Sequence, residues 1–260
     1  RGVPNLLLLQ FVFQILKMSF KDQLFTIILV GFVCFGSCED KKKPSEEKIE
    51  ISTENKKDSV AVNTLEDKTE PVKKEFPKIT NENVVAFLTQ YGNDNPETKV
   101  KISTQFGEID IELTKDTPLH RANFIYLVKQ GYFDKTFFHR AVPNFIIQGG
   151  NSDLTSTPEK RSKIGKDYLI PAEIIPGRVH KYGTVSGAKE YRENPDKNSA
   201  PFEFFIFLGP LSSTSHLNGS YTVFGNVTKG MDVVEKIAKL PTDDGEWPLQ
   251  NIYITAKVLK

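Results

Sequence analysis

Residues 138–150 read FHRAVPNFIIQGG, and this stretch says most about the fold and function of the chain. The apolar residues between Ala141 and Ile147 have the character of a half-buried strand. Arg140 adds a permanent cation and Gln148 adds an amide. Because arginine is rarely buried without a partner, a cation beside apolar strand residues predicts a groove that water can enter. Such a groove suits a neutral amide substrate.

The composition changes along the chain, so the folded domain is expected in the later part. Residues 1–37 are mostly apolar, and we predict upstream sequence and a lipoprotein-type signal peptide there. Residues 38–80 are charged and nearly free of aromatic side chains, which predicts a flexible linker. An N-terminal helical extension is predicted over 81–98 and a single folded domain over 99–260, a size sufficient for one core.

The N-terminal segment has the features of an export signal. Met18 is an ordinary start, which makes residues 1–17 upstream sequence, and Lys21 precedes a short apolar run over 24–35. This run is shorter than the about 20 residues that a membrane span needs. It ends in small residues before Cys38, which resembles the lipobox of bacterial lipoproteins.

We therefore expect acylation of Cys38 and a lipid-anchored protein of the bacterial cell envelope, facing the periplasm or the cell surface. Two alternatives stay open. One is a simple secretory signal, and the other is a single membrane anchor that joins the apolar residues 6–13 to the later run.

Several classes of function are disfavoured. The formal net charge of +1 gives no strong field for nucleic acid. Both cysteines precede the folded domain, and the four histidines lack the spacing of a zinc site. The chain has neither a GxSxG elbow nor a phosphate-binding loop. We expect no metal, no cofactor and no nucleic-acid partner.

The pattern of the domain is mainly β. A hairpin is predicted over 100–113 around Phe106 and Gly107, because apolar residues alternate with polar ones on both sides of the turn. Further strands are predicted over 137–140, 144–148, 204–208, 222–227 and 252–259. Helices are predicted over 81–91, 117–131 and 231–239. Many short strands with few helices favour a closed antiparallel barrel.

These segments resemble the cyclophilin-type peptidyl-prolyl cis/trans isomerases over essentially all of residues 99–260. The resemblance is carried by 127–133 (LVKQGYF), 138–150, 183–188 (GTVSGA), 204–206 (FFI) and 223–225 (VFG). It implies a closed eight-stranded antiparallel β-barrel capped by two α-helices. It also implies an enzyme that accelerates rotation of X-Pro bonds without a cofactor, works on proline-containing unfolded or flexible polypeptides, and is a monomer.

The resemblance also implies roles for individual residues. Arg140 would be the catalytic cation. The substrate-binding residues would be Phe145, Ile146, Gln148, Ala188, Glu203, Phe205, Leu217 and Tyr221. Of these, Phe145, Phe205, Ile146 and Leu217 would form the floor of the proline pocket, and Gln148 would bind the substrate backbone.

The chain departs from the family pattern at three positions. Lys189 stands where Asn is common, Glu203 replaces a Gln, and His216 occupies the position of the Trp found in drug-sensitive members, which leaves cyclosporin sensitivity open. Glu203 offers Arg140 an anionic partner, which would reduce its availability. A purely structural interpretation treats Arg140 as part of an ion pair, His139 as a hydrogen-bonded core histidine and Lys189 as a solvated loop charge.

We predict an envelope isomerase that assists the folding of extracytoplasmic proteins. Two alternatives remain. A cyclophilin-like peptide-binding or chaperone module would have little or no turnover. A barrel that binds a small apolar ligand would need an enclosed cavity, whereas the resemblance implies a filled interior with the site outside.

Overall fold

The computed structural model describes residues 76–189 and 194–260. Eight strands close into a barrel in the order β1-β2-β7-β5-β6-β4-β3-β8, and each pair of neighbours is antiparallel. The strands are β1 Lys99–Thr104, β2 Gly107–Leu113, β3 Thr136–Val142, β4 Ile146–Asn151, β5 Thr184–Gly187, β6 Phe204–Phe207, β7 Val223–Lys229 and β8 Tyr253–Val258. The predicted fold class is confirmed. The predicted signal peptide, Cys38 and most of the predicted linker lie outside the described residues.

The described residues also form α-helices α1 Val84–Asp94, α2 Pro118–Lys129, α3 Ser156–Ile164 and α4 Met231–Ala238, and a 3₁₀ turn over Leu211–Thr214. Helix α3 is not among the predicted helices, because its sequence STPEKRSKI has no apolar period and only Thr157 and Ile164 are buried. Long-range contacts hold it instead. The Lys160 ammonium donates to the carbonyls of Gly131, Tyr132 and Asp134, at 3.2, 3.1 and 2.5 Å.

The interior of the barrel is filled by apolar side chains. Alternation along each strand places one set of residues inside, and Ile102, Ile109, Val185 and Ile206 are fully buried there. A small cavity beneath α2 has a volume of about 10 Å³, far below the volume that a small-molecule ligand requires. This packing disfavours the ligand-binding barrel.

Helix α1 packs on α2 through aromatic side chains. The rings of Tyr91 and Tyr126 lie 5.0 Å apart in an edge-to-face arrangement, and Phe87 lies 5.1 Å from Tyr126. The guanidinium of Arg121, on α2, donates to the carbonyls of Gly92 and Asn95 at the end of α1. Helix α1, which precedes the barrel in the sequence, is therefore attached to α2, a helix that packs on the barrel. Across residues 76–189 and 194–260, no helix combines the length and apolarity needed to cross a membrane.

Candidate active site

The hairpin β3–β4 positions Arg140, the cation predicted to be catalytic. Asn144, with φ +59°, turns the chain between the two strands, and β4 begins two residues later than predicted. The register pairs Arg140 with Gln148, and Gln148 with Phe205 on β6. Side chains of directly paired residues lie on the same face of a sheet. Arg140, Gln148 and Phe205 therefore form a row across the outer wall of the barrel.

An apolar cluster separate from the barrel core supports this row. Alternation turns Ile146 outward while its neighbour Ile147 points into the interior. Phe205, Phe207 and Leu217 are buried in the same outer cluster as Ile146. Phe145 and Tyr221 pack on its edge.

The cluster forms the floor of an open groove with a volume of about 430 Å³. The groove is lined by Arg140, Phe145, Ile146, Gln148, Ala188, Lys189, Phe205, His216, Leu217 and Tyr221. Every predicted catalytic or substrate-binding residue except Glu203 is therefore brought to one surface, while Cys38 lies outside the described residues. Lys189 and His216 also line it, which departs from the interpretation of Lys189 as a solvated loop charge. The sequence signal that could have placed Lys189 and His216 in the groove is that they directly neighbour the predicted site residues Ala188 and Leu217.

Arg140 is held by a carboxylate from the loop before β8. Its Nε donates to Oε2 of Glu246 at 2.5 Å, and the two side chains are 30% and 43% exposed. The backbone of the same loop is fixed to β3, because the amide of Ala141 donates to the carbonyl of Glu246 at 2.9 Å. Within residues 76–189 and 194–260, the terminal nitrogens of Arg140 have no hydrogen-bond partner. The guanidinium can therefore donate to a ligand in the groove while Glu246 fixes its orientation.

Glu203 lies behind Gln148 rather than in the groove, so the prediction that it would pair with Arg140 is wrong. Its Oε2 accepts from Nε2 of Gln148 at 2.9 Å, and its Oε1 lies 3.4 Å from Arg161. Nε2 of His139 is 3.5 Å from Oε2. Phe205, two residues further along, is the one that faces the groove, and Glu203 directly precedes β6.

His139 is buried as predicted, but it is not fully hydrogen-bonded. Its Nδ1 has no hydrogen-bond partner within the described part of the chain. The ring of Trp247 lies 5.6 Å from the imidazole ring. The loop that carries Glu246 therefore contacts the site through two neighbouring side chains.

The Glu203 carboxylate makes stability depend on pH. Burial acts to raise the pKa of Glu203, but contacts with His139, Gln148 and Arg161 outweigh it and lower the pKa below the ordinary value of 4.5. Because the pKa is lower in the folded state, the ionised carboxylate favours folding. This stabilisation is fully present above the unfolded-state pKa and is lost as the pH falls through the folded-state pKa.

We therefore expect the free energy of unfolding of E203Q to fall less steeply than that of the wild type on acidification from about pH 6 to pH 3. Urea unfolding at a series of pH values measures the two slopes. The matched control is E112Q, because Glu112 is exposed and has no ion-pair partner among the described residues. Parallel wild-type and E203Q curves would show that the buried network contributes nothing to the acid response.

His180, which is not among the predicted site residues, supports the groove floor from below. Its ring is stacked on that of Phe205, with centroids 5.8 Å apart. Nε2 lies 3.0 Å from the Ser186 hydroxyl, and Nδ1 lies 2.9 Å from Oδ1 of Asn218. Burial lowers the pKa of His180, and the hydrogen bond to Asn218 only partly opposes this. A neutral imidazole that donates to Asn218 and accepts from Ser186 satisfies both nitrogens.

A second buried histidine belongs to a structural network. Nδ1 of His120 is 2.7 Å from Glu173, and Nε2 is 2.9 Å from the Ser199 hydroxyl. The carboxylate of Glu173 also accepts the amides of Leu119 and His120 in the first turn of α2. Ser199 is completely buried, so no substrate reaches its hydroxyl. Among residues 76–189 and 194–260, no group of three or more His, Cys, Asp or Glu side chains is placed to hold a metal ion.

Comparison with known proteins identifies the family. The profile described as "Cyclophilin type peptidyl-prolyl cis-trans isomerase/CLD" matches residues 99–258. The chain is 39% identical to a peptidyl-prolyl cis-trans isomerase of Acinetobacter baylyi over 148 residues, which cover 56% of this chain and 74% of the relative. It is 37% identical to a peptidyl-prolyl cis-trans isomerase-like 1 of Neurospora crassa over 166 residues, covering 63% and 95% of the two chains.

A solved structure agrees with these relatives. The crystal structure of a Cryptosporidium parvum cyclophilin-type peptidyl-prolyl cis-trans isomerase, determined in the presence of the dipeptide Ala-Pro, is 28% identical to this chain with a TM-score of 0.52. The match covers 62% of this chain and 99% of that one. The chain therefore belongs to the cyclophilin-type peptidyl-prolyl cis-trans isomerase family, whose members are enzymes of class EC 5.2.1.8.

Proposed function

We propose that the groove lined by Arg140 binds proline-containing segments of unfolded or flexible polypeptides and accelerates rotation of their X-Pro bonds. The observation that carries this proposal is a guanidinium beside a water-accessible apolar hollow, with its terminal nitrogens available. The Ala-Pro dipeptide named with the Cryptosporidium parvum structure supports a proline ligand for the same fold.

The chemistry needs no nucleophile. Rotation about a peptide bond has a barrier of about 18–20 kcal/mol, because amide resonance must be broken. The prolyl nitrogen regains its lone pair only in the twisted state. A donor aimed at that nitrogen therefore stabilises the transition state more than the ground state. Arg140 suits this role because its guanidinium stays protonated at every physiological pH.

The rest of the groove would hold the substrate still around the rotating bond. Phe145, Phe205 and Leu217 offer the proline ring an apolar floor. Gln148 stands beside Arg140 in the adjacent strand, where its amide can bind the substrate backbone. One end of the bond is then fixed while the other turns, which places the reacting group in the correct orientation.

The direct test is NMR exchange on a blocked Ala-Pro peptide. We expect catalysed cis-trans exchange, whereas uncatalysed exchange takes roughly tens to hundreds of seconds. Binding of the peptide at the groove without any change in exchange rate would instead identify the second candidate, a peptide-binding module with little turnover. The ion pair of Arg140 with Glu246 is the observation that favours this candidate, since a paired cation is less available.

E246Q distinguishes between a positioning role and an inhibitory role for this ion pair. We expect kcat/KM to fall about two- to fivefold, because a partly exposed ion pair contributes no more than about 1 kcal/mol and its loss releases the guanidinium from one orientation. Steady-state exchange rates on the same peptide measure the change. D243N is a suitable control for loop integrity, because the Asp243 carboxylate accepts amides of Gly245 and Trp247 but does not contact Arg140. A rise in kcat/KM for E246Q alone would show that Glu246 restrains the cation.

We further propose that the enzyme is a lipid-anchored protein of the bacterial cell envelope and assists the folding of extracytoplasmic proteins. The support is the apolar run over 24–35 followed by the lipobox-like residues before Cys38. Mass spectrometry of the mature N-terminus tests this proposal. An N-terminal Cys38 carrying acyl chains is the expected result, and an unmodified N-terminus at a later residue would contradict the anchor.

A further inference from the structure

The groove is lined by basic side chains and by no carboxylate of the described residues. These basic side chains are Arg140, Lys189 and His216. The whole chain, by contrast, has 34 Lys and Arg and 33 Asp and Glu side chains, so this asymmetry is local. Since the Arg140 cation is paired with Glu246, Lys189 supplies the main charge in the groove that no carboxylate of the described residues neutralises.

Lys189 is held at the groove wall. Its ammonium lies 4.5 Å from the centroid of the Tyr221 ring, a distance at which a cation and an aromatic face attract each other. The side chain has no carboxylate partner among the described residues. The Tyr221 ring is in turn 5.6 Å from that of Phe205 on the groove floor. A cation therefore stands close to the surface proposed to receive proline.

The barrel topology sets how far this cation lies from the rotating bond. Arg140 is on β3, and Lys189 follows the end of β5; β4 and β6 separate these strands. At about 4.8 Å per strand, β3 and β5 are about 14 Å apart. An extended peptide spans this distance with about four residues. Two residues cover about 7 Å of this distance, and the long side chains of a substrate Glu and of Lys189 cover the remainder. An acidic side chain within two residues of the proline can therefore reach Lys189.

We propose that this groove prefers X-Pro bonds that have an acidic side chain within two residues of the proline, and that Lys189 determines this preference. The proposal rests on the prolyl-bond activity proposed above and specifies its substrate class. A carboxylate near Lys189 gains a favourable charge interaction at the rim of the groove. An isosteric amide lacks that interaction, so the preference is electrostatic and weakens as salt is added.

The test compares blocked hexapeptides that differ by Glu or Gln at one position, for each of the two positions on either side of proline. N-acetylation and C-amidation leave the Glu side chain as the sole charge. NMR exchange gives kcat/KM, and chemical-shift titration of the same samples gives Kd. At one position at least, we expect the wild type to favour Glu over Gln by about threefold at low salt.

In K189Q this Glu-to-Gln ratio is expected to fall to about one, and in K189E to invert, whereas the control K229Q keeps the wild-type ratio. Lys229 is exposed at the far end of β7 and does not line the groove. A ratio near one in the wild type at all four positions, or an equal preference in K189Q, would overturn the proposal. Absence of turnover on the Gln peptides would instead count against the proposed activity, and the preference would then be judged from the Kd ratios.

Discussion

R140A is expected to lower kcat/KM for a neutral Ala-Pro peptide by roughly ten- to a hundredfold. A hydrogen bond from a charged donor contributes about 1.5–3 kcal/mol, and each 1.36 kcal/mol of transition-state stabilisation is a factor of about ten in rate. The residual activity would come from the apolar floor, which the substitution leaves intact. NMR exchange at substrate concentrations below KM measures the loss directly.

R140K is the matched comparison, because it keeps the charge but not the fork of donors. A lysine ammonium cannot donate to Glu246 through an Nε–H while offering terminal nitrogens to the groove. We expect R140K to recover only a small part of the lost activity. Both variants should unfold close to the wild-type midpoint, since the Arg140–Glu246 pair is partly exposed. If R140A had the same kcat/KM as the wild type, Arg140 would have no catalytic role.

The barrel could be predicted because its pattern is local. Over residues 100–113, apolar and polar side chains alternate, and this alternation alone determines which face of the β1–β2 hairpin is buried. Helix α3 lacks such a pattern. It is stabilised by hydrogen bonds from Lys160 to backbone carbonyls that are distant in the sequence. Strand β5, only four residues long, is identified through family resemblance rather than as a strand.

The composition of the groove could be predicted, but the partners of its charges could not. Arg140 and Glu246 are 106 positions apart, and no sequence pattern couples them. The sequence suggests that Glu203 meets Arg140, yet its position just before β6 directs it toward Arg161 and His139. The Glu203 carboxylate therefore neutralises Arg161 rather than Arg140, which pairs with Glu246 instead.

G150A is expected to give the largest loss of stability among single substitutions in the site motif. Gly150 has φ +103°, a backbone conformation that costs a residue with a side chain about 1–3 kcal/mol. A Cβ at this position would lie 2.1 Å from the carbonyl oxygen of Phe202 and 3.2 Å from Cα of Glu203. Both atoms are backbone, so no rotamer change relieves the overlap, and overpacking adds about 1–3 kcal/mol.

The two terms together predict a loss of about 2–6 kcal/mol, which for a domain of this size lowers the Tm by roughly 4–24 °C. G177A separates them, because Gly177 has φ +77° and no atom lies within 4 Å of the Cβ that alanine would add there. G177A should lose about 1–3 kcal/mol, from backbone strain alone. Calorimetry on both variants measures the difference, and equal losses would show that close approach of the backbone is unimportant.

The overlap at Gly150 also has a consequence for activity. The chain segment that a Cβ would displace runs from Phe202 into Glu203 and on to Phe205, which forms part of the groove floor. The carbonyl of Gly150 itself accepts from the Tyr132 hydroxyl at 2.7 Å, so β4 cannot shift without breaking a buried hydrogen bond. We expect the overlap to displace the segment from Phe202 to Glu203 that leads into β6, which carries Phe205. We expect G150A to reduce kcat/KM even below its unfolding transition, whereas G177A should not, because Gly177 does not line the groove.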